Sequence, residues 1–386
     1  MMRYAALMLI GCLMVVACST TNPSLVKENS NVKDDEQRLW QRSAEEQQVL
    51  DNSGFVYRDG ELREYLNGIV QKLQPPETLE PISFRIVVLK DPYLNAFAYP
   101  NGVIYVHTGI LARVDNEAQL AMLLAHEMAH CTHRHALEAF RDFKRTRDRI
   151  AILQKRGPAS NHEDLMALLG STQAVAVTGY SQDLETEADL TGLEFVLNAG
   201  YDLKEAPRLF EHLKRELVEE KAREPFFFGT HPRLEKRIQN CKNFLRAHCQ
   251  GQAEGIKNTE IFLEKIQRLL LENASLDLKA GRFPSAHRGL EKYLNVNPHD
   301  PRAYYLLGEV CRQRAKENDI ARAKEYYKKA ILLDPLYPEP YKAVGLIYYK
   351  EGDKRLARRS FESCLALSPH EPDRAYIRGY LEQCDE

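Results

Sequence analysis

Two histidines four residues apart, His126 and His130, with Glu127 beside the first, form the chemically most pointed stretch of this 386-residue chain. Four residues of α-helix turn through about 400°, so both imidazoles leave one face, one turn apart. That disposition suits two nitrogen ligands of a single tetrahedral zinc ion per chain. It also sets Glu127 where it could take a proton from a water activated by the metal. The stretch must therefore be helical, and its flanks agree. Leu120, Leu123 and Leu124 supply an apolar stripe, Glu117 suits a first turn, and Asp115 is the expected N-cap. The helix is expected to run from about Asn116 to the early 140s, its basic end at Arg141 to Arg149 solvated.

A metal site on two histidines needs a third protein ligand. The second chemical stretch, Tyr180 to Gly192, is acidic and reads as a helix closed near Gly200. Glu185 and Asp189 lie four apart and share a face with Ala188 and Gly192, two small residues that let this helix approach the first closely. Glu185 is then the expected third ligand. Asp189 is expected to accept a hydrogen bond from the far nitrogen of a ligand histidine, fixing its tautomer. Glu187 projects elsewhere and reads as solvated; it and Asp183 are the carboxylates left should Glu185 not serve. His133 does not complete a metzincin set, because that pattern needs glycine at 133 and histidine at 136, where this chain has His133 and Ala136. His231 lies in Phe226-Phe-Phe-Gly-Thr-His-Pro-Arg233, a loop entering a helix. Three roles stay open for it: a latch on the metal's open position, a donor to the oxyanion, or a residue packed beneath the following helix.

The length predicts two domains. With 44% hydrophobic and 28% charged residues and a net charge of −2, the composition is that of a globular protein and argues against a nucleic-acid partner. Eight scattered cysteines without a C-x-x-C pair exclude a disulfide scaffold and a cysteine zinc knuckle. Cys131, Cys311 and Cys364 read as small buried residues, while Cys241 and Cys249 are close enough in sequence to pair. At the N-terminus, Arg3, the apolar run Ala5 to Ala17 and Val15-Val-Ala-Cys18 resemble a bacterial lipoprotein signal. Residues 1–18 are thus expected to be a signal peptide ending at a lipidated Cys18, and 19–35 a flexible tether. Leu9-Ile-Gly-Cys12 fits the same pattern but leaves a very short apolar region before it. Ser19, rather than an aspartate, after Cys18 implies an outer-membrane anchor facing the periplasm of a Gram-negative bacterium.

Between these landmarks the pattern is helical from Asp35 to Gln74. Strands follow at Ile82–Leu89, Asn95–Tyr99 and Val103–His107, the last two about a Pro100-Asn-Gly102 turn, giving a small, largely antiparallel sheet. A further helix is expected over about 162–178. The last third is repetitive. Ala286, Leu290 and Pro298 recur as Ala323, Tyr327 and Pro335, then as Ala357, Phe361 and Pro369, with the prolines 37 and 34 residues apart. That is the tetratricopeptide period: three repeats, the first from about Gln267, plus a capping helix over 372–386, whose concave side usually binds a peptide or partner. The fold class is α+β and mostly helical, with domains at 36–255 and 260–386. Truncation after about Gln250 is expected to leave the first domain folded.

Several of these motifs are linked. They are His126-Glu127-x-x-His130-x-x-x-Arg134-His135, Glu185-x-x-x-Asp189-x-x-Gly192, Ala199-Gly-Tyr-Asp202, Asn95-Ala-Phe-Ala and Thr230-His-Pro-x-x-x-x-Arg237-Ile238. Together they resemble the gluzincin zinc metallopeptidases of the HtpX and CAAX-prenyl-protease group, over roughly Asp35 to Leu245. The resemblance implies a zincin-like metallopeptidase domain with zinc ligands His126, His130 and Glu185 and catalytic base Glu127. Lacking multi-span hydrophobic segments, the chain is more similar to the periplasmic BepA-like branch, which carries C-terminal repeats and is associated with outer-membrane protein quality control. That similarity implies a zinc endopeptidase of the cell envelope, acting on misfolded or unassembled outer-membrane proteins. It also implies repeats that meet the outer-membrane assembly machinery, and it favours the latch role for His231. Substrate is expected as an added strand along the Asn95–Tyr99 or Val103–His107 edge. The alternative is a periplasmic chaperone or assembly factor in which the repeats do the main work and proteolysis is secondary. A purely structural zinc site is a third class, against which Glu127 argues, because a structural site needs no base.

Overall fold

A computed structural model of the chain describes residues 32–74, 82–145, 180–220, 234–248, 254–370 and 372–385. The calls on Cys12, Cys18, Cys249, His231 and the helix at 162–178 lie outside these residues, as does the tether up to residue 31. Helix α1 (Val32–Asn52) takes in the last residues assigned to the tether and buries Leu39 and Leu50. Gly54, at φ 81°, ends the helical run, and α2 (Gly60–Leu73) restarts after the Asp59 side chain accepts from the Leu62 amide. Its buried Leu62, Leu66, Ile69, Val70 and Leu73 follow the three-and-four spacing of the sequence.

Among the described residues the sheet has three strands, β1 (Arg85–Leu89), β2 (Ala96–Ala98) and β3 (Val103–His107), in the order β1-β3-β2. β2 and β3 form the expected antiparallel hairpin, with Phe97 opposite Tyr105 and Gly102 at φ 89° in the turn. β1, however, runs parallel to β3, with Val87 opposite Tyr105, so the sheet is mixed rather than antiparallel. The chain leaves β1 and crosses the end of β3 before returning as β2. Asp91 fixes that crossing: its amide and carbonyl both meet Thr108 Oγ1, and its carbonyl accepts from the Gly109 amide at 2.8 Å. A Cβ on Gly109 would lie 2.2 Å from the Pro92 carbonyl oxygen, so only glycine allows this approach. β3 is thereby paired on both sides, which removes it as a docking edge and leaves β2.

After α3 (Thr108–Arg113) comes α4 (Glu117–Thr132), whose N-cap is Asn116 rather than Asp115, its side chain accepting from the Gln119 amide at 2.9 Å. Glu117 through Cys131 are all buried, so α4 is a central helix and not a surface one with a single apolar stripe. It does not reach the 140s. His133 caps it, Arg134 adopts φ 57°, and α5 (His135–Arg145) starts in a new direction. α6 (Gln182–Asn198), capped by Ser181, packs along α4, and a Cβ on Gly192 would come within 3.1 Å of the His126 nitrogen. α7 (Glu205–Glu220) and α8 (Leu234–His248) follow among the described residues. Cys131 and Cys241 are buried free thiols, as are Cys311 and Cys364.

The repeats are helix pairs: α9 (Thr259–Lys279) with α10 (Phe283–Val296), α11 (Pro301–Arg314) with α12 (Asp319–Leu333), and α13 (Pro338–Lys350) with α14 (Lys354–Leu367). α15 (Arg374–Asp385) follows as the cap. The first pair starts eight residues before the expected Gln267, because the front of α9 is part of the other domain's core. Phe262, Ile266, Leu269 and Leu270 belong to one apolar cluster with Leu62, Leu123 and Leu209, continuous as far as Val310. Beneath it, buried Arg113 reaches Asp277 on α9 at 2.8 Å and Glu216 on α7 at 3.1 Å, while Arg288 on α10 meets the same Glu216. The expectation of a first domain that folds without the repeats does not fit this shared core. Among the described residues, no helix is long and apolar enough to cross a membrane.

Candidate metal centre

His126 and His130 leave α4 on one face, and their Nε2 atoms stand 3.0 Å apart. The close packing at Ala188 and Gly192 brings α6 across them. Glu185 Oε2 then lies 3.6 Å from His126 Nε2, and Oε1 lies 3.4 Å from His130 Nε2. All three residues are buried. A tetrahedral zinc with bonds of about 2.0–2.1 Å separates its ligand atoms by about 3.3–3.4 Å. The observed triangle brackets that value, and two imidazoles with a carboxylate are a donor set that zinc accepts, so the residues fit the ion. Glu127, next to His126 on α4, is only 2% exposed.

Each histidine is oriented from behind. His126 Nδ1 faces Asp189 Oδ1 at 3.2 Å; Asp189 also accepts from Arg237 Nε at 2.9 Å and Asn240 Nδ2 at 3.4 Å, with Arg237 Nη2 2.8 Å away in the same ion pair. Arg237 is fully buried, its guanidinium 4.2 Å from the Phe210 ring centre. Burial opposes its charge, yet Asp189 and Glu185 outweigh burial and hold its pKa above the ordinary value. A carboxylate so anchored can hold the His126 Nδ1 proton, leaving Nε2 with its lone pair toward Glu185 and His130.

His130 has a different support. Its Nδ1 lies 2.8 Å from His135 Nδ1, and His135 Nε2 lies 3.2 Å from Glu187 Oε2. Tyr180 stacks on the His130 ring with centroids 4.2 Å apart. Burial lowers the His135 pKa, against the opposing pull of Glu187. A neutral His135 can therefore accept at Nδ1 from His130 and donate at Nε2 to Glu187, which frees His130 Nε2 as a ligand atom.

Thus the structure brings His126, Glu127, His130, Glu185 and Asp189 into one place. His135 and Glu187 were missed. Glu187, read as solvated, is partly exposed but has its two oxygens at 3.3 Å from His133 Nδ1 and 3.2 Å from His135 Nε2. Helical periodicity does not reveal this. His135 returns to His130 only because Arg134 takes a left-handed conformation, and the one available signal was that residues 126–135 carry four histidines.

A buried H-E-x-x-H helix, a carboxylate from a second helix and an edge strand beside them define a metallopeptidase-type domain, here joined to helical repeats. Comparison agrees: residues 57–244 match peptidase family M48, and residues 271–338 and 341–371 match tetratricopeptide repeats. The chain therefore carries a domain of peptidase family M48 followed by tetratricopeptide repeats. It is 26% identical over 280 residues to the beta-barrel assembly-enhancing protease of Escherichia coli (strain K12), covering 71% of this chain and 55% of that protein. It is 28% identical over 207 residues to a putative beta-barrel assembly-enhancing protease of Vibrio cholerae, covering 52% and 42%. A mitochondrial metalloendopeptidase OMA1 of Schizosaccharomyces pombe is 30% identical over 183 residues, covering 47% of this chain and 52% of that one. The chain spans about half the length of the curated relatives it matches.

Proposed function

We propose that the protein is a zinc-dependent endopeptidase of the cell envelope, with His126, His130 and Glu185 as metal ligands and Glu127 as general base. The observation that carries this reading is the buried His126–His130–Glu185 triangle, with edges of 3.0 to 3.6 Å, beside a buried acid on the same helix. Zinc bound there supplies Lewis-acid polarisation of the scissile carbonyl and lowers the pKa of a water toward neutrality. Glu127 accepts the proton of the attacking water and returns it to the leaving amine. Asp189, clamped by Arg237, and His135, backed by Glu187, keep both histidines in the tautomer that offers Nε2. β2, at the edge of the sheet, is the strand along which an extended peptide would align.

The relatives named beta-barrel assembly-enhancing proteases support a substrate class of misfolded or unassembled outer-membrane proteins, with the repeats as the surface that meets substrate or the assembly machinery. The lipoprotein-like signal supports a Cys18 anchor in the outer membrane, facing the periplasm. His231 is assigned the latch, its removal raising basal proteolysis. The deciding experiment incubates wild-type and Glu127→Gln protein with an unfolded β-barrel precursor and measures zinc in both. Equal zinc with a cleavage loss of roughly 100-fold or more is expected. Cleavage at the wild-type rate by Glu127→Gln, or a wild-type protein that binds no zinc, sinks the reading. Asp189→Asn is expected to weaken zinc binding roughly 10- to 100-fold, read by competition with a chelator.

A further inference from the structure

Behind His130 lies a second constellation with the composition of a metal site. His133, His135 and Glu187 each offer one ligand atom, all within 4.8 Å of one another. Glu187 Oε1 is 3.3 Å from His133 Nδ1, and Oε2 is 3.2 Å from His135 Nε2. Residues two apart on a regular helix point to different sides. Here Arg134, at φ 57° and held by Glu36 of α1 at 2.8 Å, turns the chain so that the two imidazoles stack with centroids 5.5 Å apart. A left-handed backbone is strained for an arginine. That strained turn is what makes the pair of histidines converge on one carboxylate. The side chains of His133 and Glu187 are 35% and 49% exposed, against 1% for His135. The cluster is therefore open to solvent on one side and sealed against His130 on the other.

We infer that His133, His135 and Glu187 form a second, exchangeable site for a borderline divalent transition-metal ion such as zinc, and that its occupancy switches off the buried centre through His135. Two imidazoles and one carboxylate favour zinc, cobalt, nickel or copper over magnesium and calcium. The link to activity rests on the reading of His126, His130 and Glu185 as zinc ligands. When His130 offers Nε2 to that centre, its Nδ1–H donates to His135 Nδ1, and the His135 proton sits on Nε2, toward Glu187. An ion takes the Nε2 lone pair of the neutral His135, whose single proton must then sit on Nδ1. On Nδ1 it would oppose the His130 N–H across 2.8 Å. Two donors face to face at that distance repel, so an ion in the open site pulls His130 away from its ligand geometry. Excess zinc thereby inhibits a peptidase that needs one zinc.

The test uses the full chain, stripped of metal and dialysed against buffered zinc, with bound zinc counted per chain. Wild type is expected to bind two equivalents and His133→Ala one, with Glu187→Gln as a second variant giving the same loss. His126→Ala is expected to lose the other equivalent and keep the one that His133→Ala lacks. In cleavage of an unfolded substrate, zinc beyond the first equivalent is expected to inhibit wild type and not His133→Ala. A second equivalent that survives both His133→Ala and Glu187→Gln overturns the site, as does a wild type with one equivalent that His126→Ala removes. A single equivalent that survives His126→Ala but not His133→Ala keeps the open site and overturns the reading of the buried one. Two equivalents with the same zinc inhibition in wild type and His133→Ala overturn the coupling through His135.

Discussion

The two halves of this molecule use the same device, a small residue where helices cross, and what lies opposite it differs. In the peptidase half, Gly192 of α6 faces the backbone of α4 at His126, with the nearest nitrogen 3.1 Å from where a Cβ would stand. In the repeats, Gly308 and Gly345 face side chains, the rings of Tyr327 and Phe361 on the partner helix of the same pair. A ring can turn aside, but the backbone that carries His126 cannot move without moving the His126–His130–Glu185 cluster. Buried charge follows the same division. Asp189, Arg237, Arg113, Asp277 and Glu216 are matched across helices far apart in sequence. In the second repeat, Glu309 is matched by Arg312 three residues on and by the Tyr327 hydroxyl of its own hairpin, and Asp319 by Arg314. Perturbations should therefore spread in the peptidase half and stay local in the outer repeats.

The strongest challenge to that contrast is truncation after Gln250. It strips Phe262, Ile266, Leu269 and Leu270 from the shared core, and the fragment is expected to lose cooperative unfolding altogether. A fragment that melts sharply at the wild-type temperature would show that the peptidase half ends where the sequence placed its boundary. Next is Arg113→Leu, which leaves buried Asp277 and Glu216 without their shared cation. A loss of about 3–5 kcal/mol is expected in denaturant titration, and a loss under about 1 kcal/mol would mean the seam is not a joint. Smaller again, Gly192→Val and Gly308→Val should each cost about 1–3 kcal/mol by overpacking. Only the first should also weaken zinc binding, and equal zinc affinity in the two variants would erase the distinction.

The least effect expected is one of acidity in the second repeat. The hydrogen bond from Arg314 holds the Asp319 pKa at about 2, below its ordinary 3.8. A carboxyl depressed on folding contributes stability above its unfolded pKa and loses it as pH falls through the folded one. The loss should appear between about pH 4 and pH 2 as a lowered melting temperature of wild type relative to Asp319→Asn. Identical pH profiles for the two proteins would remove Asp319 from the account.

How much was legible follows the same line. The repeats were read from two agreeing periods, and their buried Ala323, Tyr327, Ala357 and Phe361 stand where the pattern put them. Only the start of the first pair was misplaced, because α9 serves the neighbouring core as well as its own hairpin. In the peptidase half, the H-E-x-x-H helix and the hairpin about Gly102 were visible as local patterns. The parallel β1, the Asn116 cap, the break at Arg134 and the pairing of Glu187 were not.

By itself the sequence determined the chemistry on offer. His126 and His130 share a helical face, with Glu127 beside the first, because a helix turns once in 3.6 residues, and that holds wherever the helix is placed. Ala188 and Gly192 likewise announced a close helix crossing near Glu185. Only the tertiary structure decided how the offer is used: that Asp189 is clamped by Arg237 from α8, that His135 folds back onto His130, and that a repeat helix seals the peptidase core. The reason is physical. Local spacing fixes which way side chains leave one element, whereas the partner of a buried charge is chosen by whichever distant element excludes water around it.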